Sequence, residues 1–176
     1  MIAADTMTSL ARARTLTRYN TWANRIFYDA VFALPPGEAE KPRQTLFKNI
    51  VHTLNHNYVI DSIFRAHIEG RVHGYGARNT PDTPPLTDLW AAQQEFDGWF
   101  IRWSDGLTAP AVDEVINFTF VGGGEGALSR SEIIDHLIIH TSYHRGFAAD
   151  MFFQVPAKAP TTDLPVFLRD ARPVLD

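Results

Sequence analysis

Hydrophobic residues recur at helical spacing in the first half of the chain. Residues 8–34 contain no internal Pro or Gly, and their apolar positions return every three or four residues until the Pro-Pro-Gly at 35–37. A second helix is predicted from about residue 46 to 69, with Gly70 as its C-terminal stop. Residues 71–86 are rich in Gly and Pro, which predicts a long crossover after helix 2.

The pattern changes in the second half of the chain. Thr87 is predicted to be the N-cap of a third helix that runs through about Ser104 and carries several large aromatic residues. Residues 115–121 are instead rich in β-branched and aromatic residues, and three glycines follow at 122–124. This composition predicts a short strand that turns into a hairpin.

A fourth helix follows the hairpin. Ser129 and Glu132 have the spacing of a capping box, and the helix is predicted to continue to about Gln154, because Pro156 cannot extend it. Residues 161–173 predict a short helical turn. These elements predict an all-α fold: a four-helix bundle with a long crossover after helix 2 and a short β-hairpin-like insert before helix 4. We expect one domain over residues 1–176, because no linker or composition shift divides the chain.

Composition narrows the classes of function. The net charge of −4 argues against a nucleic-acid partner, and no apolar run is long enough to span a membrane. The N-terminal segment does not resemble a secretory signal, so a cytoplasmic location is expected. The chain contains no cysteine. Any metal ion would therefore be held by nitrogen and oxygen atoms.

The seven histidines fall in only two windows, residues 52–73 and 136–144. In each window two histidines are four residues apart, at 52 and 56 and at 140 and 144. Residues four apart lie on one face of a helix, so each pair can direct two imidazoles towards one point. Two such pairs on two helices of one bundle favour a metal site over histidines that simply pack in the core.

The rise of a helix limits which histidines can share an ion. His67 lies roughly 16 Å along the axis from His56, which excludes it from the same site. His136 and His144 are separated by about 12 Å, too far for both to bind one ion. His140 must therefore belong to any pair from the last helix, with either His144 or His136 as its partner.

Three neutral imidazoles leave at least one coordination position open, which is typical of a catalytic metal site. An ion in such a site lowers the pKa of a bound water or thiol. The residue after the first histidine is Thr at both 53 and 141, so the glutamate of a zinc-protease helix is missing. A histidine-containing bundle with no metal is the remaining alternative.

Three sequence blocks then resemble a known family. YNTWANRIFYDAVFALP at 19–35, TLNHNYVIDSIF at 53–64 and HLIIHTSYHRGF at 136–147 are similar to the motif blocks of the DinB family, within the DinB/YfiT-like metalloenzyme superfamily. The insert before the last helix and the closing TDLPVFLRD extend the resemblance over nearly the whole chain.

The resemblance implies a four-helix bundle of DinB/YfiT type with one divalent metal ion, nickel or zinc, and a homodimer. Carried over by position, the metal ligands are His56, His140 and His144. His52 and His136 are then neighbours of the ligands or part of the pocket wall. Two polar positions of the last block are replaced here by Tyr143 and Phe147.

The implied function is that of a metal-dependent enzyme that activates a thiol or water, as an S-transferase, an isomerase or a hydrolase-like enzyme. Its substrate would be a small molecule, with a low-molecular-weight thiol as a possible partner. Tyr143 and Asp61 are candidates for a catalytic proton transfer near the metal. The alternative is a non-catalytic, DNA damage-inducible metal-binding or interaction protein, which predicts a site closed by aromatic side chains.

Overall fold

A computed structural model describes residues 8–171 and confirms the predicted fold class. The fold is all-α, with one small two-stranded antiparallel sheet. In chain order the elements are α1 (Ser9–Phe32), α2 (Ile50–Ile68), α3 (Leu86–Asp105), β1 (Val115–Thr119), β2 (Glu125–Ser129), α4 (Arg130–Asp150) and α5 (Leu164–Asp170).

The second helix begins one turn later than predicted. The expected start near residue 46 is wrong, because Lys48 has a left-handed backbone (φ 68°) that turns the chain before the helix. Asn49 is the N-cap, and its side chain accepts a 2.7 Å hydrogen bond from the backbone N–H of His52. This cap fixes the first turn of the helix that carries His56.

The start of α3 also differs from the prediction. Pro85 occupies the N-cap position, and Thr87 lies inside the first turn, where its hydroxyl donates a 3.3 Å hydrogen bond to Asp88. The fixed φ of proline suits a helix start, and Asp88 interacts favourably with the N-terminal end of the helix dipole. The prediction of Thr87 as the cap is therefore wrong by two residues.

The predicted hairpin is confirmed, with a strand two residues shorter than expected. The two strands pair from Val115 opposite Ser129 to Thr119 opposite Glu125. The turn closes with a 2.9 Å hydrogen bond from the Phe120 N–H to the Gly124 carbonyl. The three glycines at 122–124 all have φ between 93° and 100°, a region that other residues rarely adopt.

The capping box of α4 is present as predicted. The Ser129 hydroxyl accepts from the Glu132 N–H at 3.2 Å, and the Glu132 carboxylate accepts from the Ser129 N–H at 2.7 Å. The helix ends at Asp150, and a 3₁₀ turn, Met151–Gln154, completes the predicted segment.

The helices pack as a bundle around a largely apolar interior. Helix α1 contacts α3 and α4, and α2 contacts α4 and α3, while the hairpin lies against α2 and α4. Helix α5 packs Phe167 against the rings of Tyr19 and Trp22. Between residues 8 and 171, no helix has both the length and the hydropathy to cross a membrane. The contact between α2 and α4 brings the two histidine windows together.

Candidate metal centre

Three histidines from two helices meet at the interface of α2 and α4. His56 lies on α2, and His140 and His144 lie one turn apart on α4. One nitrogen from each ring lies within 4.8 Å of those from the other two, and the ring centroids are 4.5 to 4.9 Å apart. The structure thus selects His144, not His136, as the partner of His140 in this triad.

The tautomer of His56 follows from its contacts. Its Nδ1 lies 2.6 Å from the Arg78 carbonyl oxygen, which can only accept, so this nitrogen carries the proton. In the neutral ring, Nε2 is then a free lone pair, and it lies 3.1 Å from Nε2 of His140. A histidine that donates one nitrogen to a carbonyl and offers the other is the usual arrangement of a metal ligand.

Burial keeps the three imidazoles neutral. Burial lowers the pKa of His140 to about 3, with further repulsion from His144 and His56. It also lowers the pKa of His144 to about 4 and that of His56 below its ordinary value. Neutral imidazoles are the form that binds metal ions, so the triad needs little proton release to accept an ion near neutral pH.

The donor set fits a divalent ion. Nitrogen ligands about 2.0–2.1 Å from one ion lie about 3.3 Å from each other in a tetrahedral site, close to the 3.1 Å between the two Nε2 atoms. The Nδ1 atoms of His140 and His144 are buried, and neither has a hydrogen-bond partner among residues 8–171. Because Nε2 of His140 faces His56, its Nδ1 points away from the centre of the cluster, so the fit to an ion rests on the spacing of the nitrogens that face each other.

Aromatic side chains hold the triad in place. Phe47 stacks on the ring of His56 at 4.4 Å between centroids and meets the ring of His144 edge-on at 5.3 Å. On the other side, Tyr143 and Phe147 pack against His144. These contacts restrict the rotation of the imidazoles, and rigid ligands make a metal site more precise.

The triad lies in the wall of an open cleft of about 840 Å³. Most of the other wall residues are apolar, and the wall is formed by α2, α4, the hairpin, the loop before α2 and the crossover between α2 and α3. They include Leu46, Phe47, Ile60, Phe64, Phe120 and Tyr143. A largely apolar cleft with a few convergent polar groups is typical of small-molecule sites.

The other predicted residues take different positions around the triad. His136 lies in the cleft wall, with its ring 5.6 Å from that of His140. His52 is one turn before His56, and its Nδ1 lies 3.2 Å from the Thr83 hydroxyl. Tyr143 lies in the cleft wall and is 62% exposed. It remains a candidate for proton transfer.

Asp61 lies elsewhere, so its placement near the metal requires correction. It follows His56 by five residues, which rotates it about 140° around the helix and away from the cleft. Its carboxylate is fully buried and accepts a 3.0 Å hydrogen bond from Gln93. Burial raises the pKa of Asp61 well above its ordinary value, and the nearby carboxylate of Asp97 raises it further.

Asp61 belongs to a buried polar cluster that joins all four long helices. Gln93 and Asn24 donate to Asp97, and Arg145 donates to Asn20 and Asn24 at 2.9 Å. Burial raises the pKa of Asp97 to about 6. The asparagines of α1 therefore bond to Arg145, one residue after a triad histidine.

Two residues of the site were missed by the sequence analysis. Arg78 contributes a backbone carbonyl from the middle of the crossover, and nothing in a sequence reports such a contact. Phe47 was assigned to the first turn of a helix, whereas it lies in the loop before α2. An aromatic residue two positions before the Asn N-cap was the only available signal.

The fold and the site together define a helical-bundle protein with a histidine triad that is compatible with metal binding. The DinB family model matches residues 6–173, which is nearly the full length of the chain. The sequence is also 23% identical over 164 residues to Protein DinB of Bacillus subtilis (strain 168), covering 87% of this chain and 91% of that protein. The chain belongs to the DinB family.

Proposed function

We propose that this protein is a metal-dependent enzyme whose triad, His56, His140 and His144, holds one divalent ion, nickel or zinc. The observation that carries the proposal is the opening of the triad into a cleft large enough for a small organic molecule. When bound, the ion would lower the pKa of a thiol or water at its open position and so supply a nucleophile.

The residues around the triad would each have a distinct role. The Arg78 carbonyl holds the His56 ring with Nε2 free. Phe47 covers the stacked face of that ring. Tyr143 lies beside His144 at the mouth of the cleft, where its hydroxyl could exchange a proton with a bound substrate.

The cleft favours an enzyme over a non-catalytic metal-binding protein. The alternative function predicts a triad closed off by aromatic side chains. Phe47, Tyr143 and Phe147 do pack against the triad, but His56, His140 and His144 all reach the cleft surface. An open site of this kind supports S-transferase, isomerase or hydrolase-like chemistry on a small molecule.

Metal content tests the ligand set. The purified protein should contain about one nickel or zinc ion per chain by mass spectrometry, and His140→Ala should lose most of it. His136→Ala is a matched control, because His136 lies one turn away on the same helix and outside the triad. Equal metal content in the protein and in His140→Ala would refute the proposed site.

Thiol binding tests the proposed chemistry. Glutathione, cysteine and N-acetylcysteine, each at several concentrations, should raise the melting temperature of the metal-loaded protein if its thiolate binds the ion. The S-methyl form of each compound is the matched control, because it cannot supply a thiolate. Equal shifts with a thiol and its S-methyl form would contradict thiol activation.

A further inference from the structure

The cleft beside the triad has an unusual distribution of charge. The whole chain has 20 acidic residues and a net charge of −4, yet among the described residues that line the cleft there is no Asp or Glu. Apart from the histidines, its charged group is Arg78. An acidic protein therefore presents a cleft with a positive group and no carboxylate.

Arg78 is fixed at this position by its backbone. Its carbonyl accepts from His56 Nδ1 at 2.6 Å. The next residue, Asn79, donates a 3.1 Å hydrogen bond to the His52 carbonyl and also bonds to the Asn55 side chain. Two consecutive residues of the crossover are thus attached to α2, so Arg78 stays beside the triad.

The guanidinium of Arg78 is free to bind a ligand. Within residues 8–171 no carboxylate lies within ion-pair distance of it, whereas Arg71 of the same crossover pairs with Glu69. Arg78 lines the same cleft as His56 and His140. An arginine beside a reactive centre without a protein carboxylate is suited to bind an anionic group of a ligand.

The cleft also offers an apolar surface at its mouth. Leu46, Phe120 and Tyr143 line it and are 69%, 52% and 62% exposed. Large apolar side chains that remain exposed around a concave site commonly bind the apolar part of a ligand. The apolar mouth and the unpaired cation lie in the same cleft.

We propose that the substrate is an amphipathic anion, with an apolar body that packs on Leu46, Phe120 and Tyr143 and a carboxylate or sulfonate-like group that pairs with Arg78. Arg78 is then a residue that determines substrate specificity. This inference rests on the proposed function for its claim that the bound molecule is a substrate, but the anion preference itself can be measured without turnover.

Equilibrium dialysis with three naphthalene probes tests the preference. Naphthalene-2-sulfonate and 2-naphthoate are anions, and 2-acetylnaphthalene is a neutral compound of similar shape. Because a carboxylate can also bind a metal ion directly, each probe is measured with the protein as isolated and after chelator treatment. The sulfonate is a weaker metal ligand, so it reports on Arg78 more directly.

Both anions should bind more tightly than the ketone, and Arg78→Gln should weaken anion binding about tenfold while leaving the ketone unchanged. Arg78→Lys should restore part of the affinity, because it restores the charge. Arg71→Gln is the control, since it removes one positive charge from the same crossover outside the cleft. The Arg78 backbone contact to His56 remains in every variant.

The inference is overturned if anions and ketone bind equally, if none of the probes binds, or if Arg78→Gln behaves as Arg71→Gln. These results leave metal content unaffected. A protein that loses its ion in His140→Ala but shows no anion preference would keep the metal site and refute only the specificity. An anion preference in a protein that binds no metal would keep the proposed specificity and refute the metal site.

Discussion

The strongest effect of the triad on the protein without metal should be sensitivity to acid. The pKa of His140 falls from 6.5 to about 3 on folding, chiefly because the ring is buried. A base with a lowered pKa in the folded state stabilises the fold above pH 6.5 and loses that contribution as the pH falls towards its folded value. The loss begins at pH 6.5 because the unfolded chain then starts to bind the proton.

The magnitude follows from the shift. One pKa unit corresponds to about 1.4 kcal/mol, so a change from pH 6.5 to about pH 5 should lower the free energy of unfolding by about 2 kcal/mol through His140 alone. His140→Gln keeps a polar side chain of comparable length but cannot titrate. The variant should therefore lose about 2 kcal/mol less than the wild type over this range.

The assay is urea unfolding of chelator-treated protein, followed by far-UV circular dichroism at several pH values. The quantity compared is the change in the free energy of unfolding with pH. This comparison removes any effect of the substitution on packing that does not depend on pH. His73→Gln is the control for the loss of a histidine outside the triad, because His73 lies on the crossover. The same pH dependence in His140→Gln and the wild type would refute the account of the neutral, buried triad.

Three further predictions concern the fold. Asp61→Asn should become more stable relative to the wild type as the pH rises above 4, because burial raises the pKa of Asp61 and ionisation then destabilises the fold; urea unfolding at about pH 4.5 and 7.5 measures the change. Ser129→Ala removes the side-chain cap of α4 and should cost about 1 kcal/mol by the same method, and no loss would contradict the role of the capping box. Phe100→Ala deletes a fully buried ring and should cost about 3–5 kcal/mol, whereas a cost below about 1 kcal/mol would contradict the assigned core.

Much of the fold could be predicted because the long helices are strongly patterned. The capping box at Ser129 and the glycines at 122–124 act locally, so their effects can be read from neighbouring residues. The starts of α2 and α3 were missed because they depend on a left-handed Lys48 and on Pro85 as a cap. Neither choice is required by the hydrophobic pattern.

The candidate site could be predicted in part, because the rise per residue of a helix limits which histidines can bind the same ion. The rise per residue left His144 and His136 as alternatives, and only the family resemblance distinguished them before the structure. The neighbours of the triad were harder to predict, because they depend on how the crossover folds back over α2. The Arg78 carbonyl is such a contact, since every residue has a carbonyl and only tertiary structure places one on His56.

The misplaced Asp61 shows a different limit. Proximity in sequence suggested proximity to the metal, but five residues of helix rotate the side chain into the bundle interior. There it joins Gln93, Asp97 and Arg145 in a polar cluster that hydrophobic periodicity does not reveal. A role for a polar residue on a buried helix face can therefore be assigned only when its partner on another helix is known.

X-ray absorption at the metal edge, combined with the ratio of metal to protein, tests the central claim most directly. About one ion per chain is expected, with three imidazole nitrogens at about 2.0–2.1 Å and at least one further, exchangeable donor. His140→Ala should lower the number of imidazole ligands or abolish binding. Substoichiometric metal, or an unchanged spectrum in His140→Ala, would contradict a catalytic ion held by His56, His140 and His144.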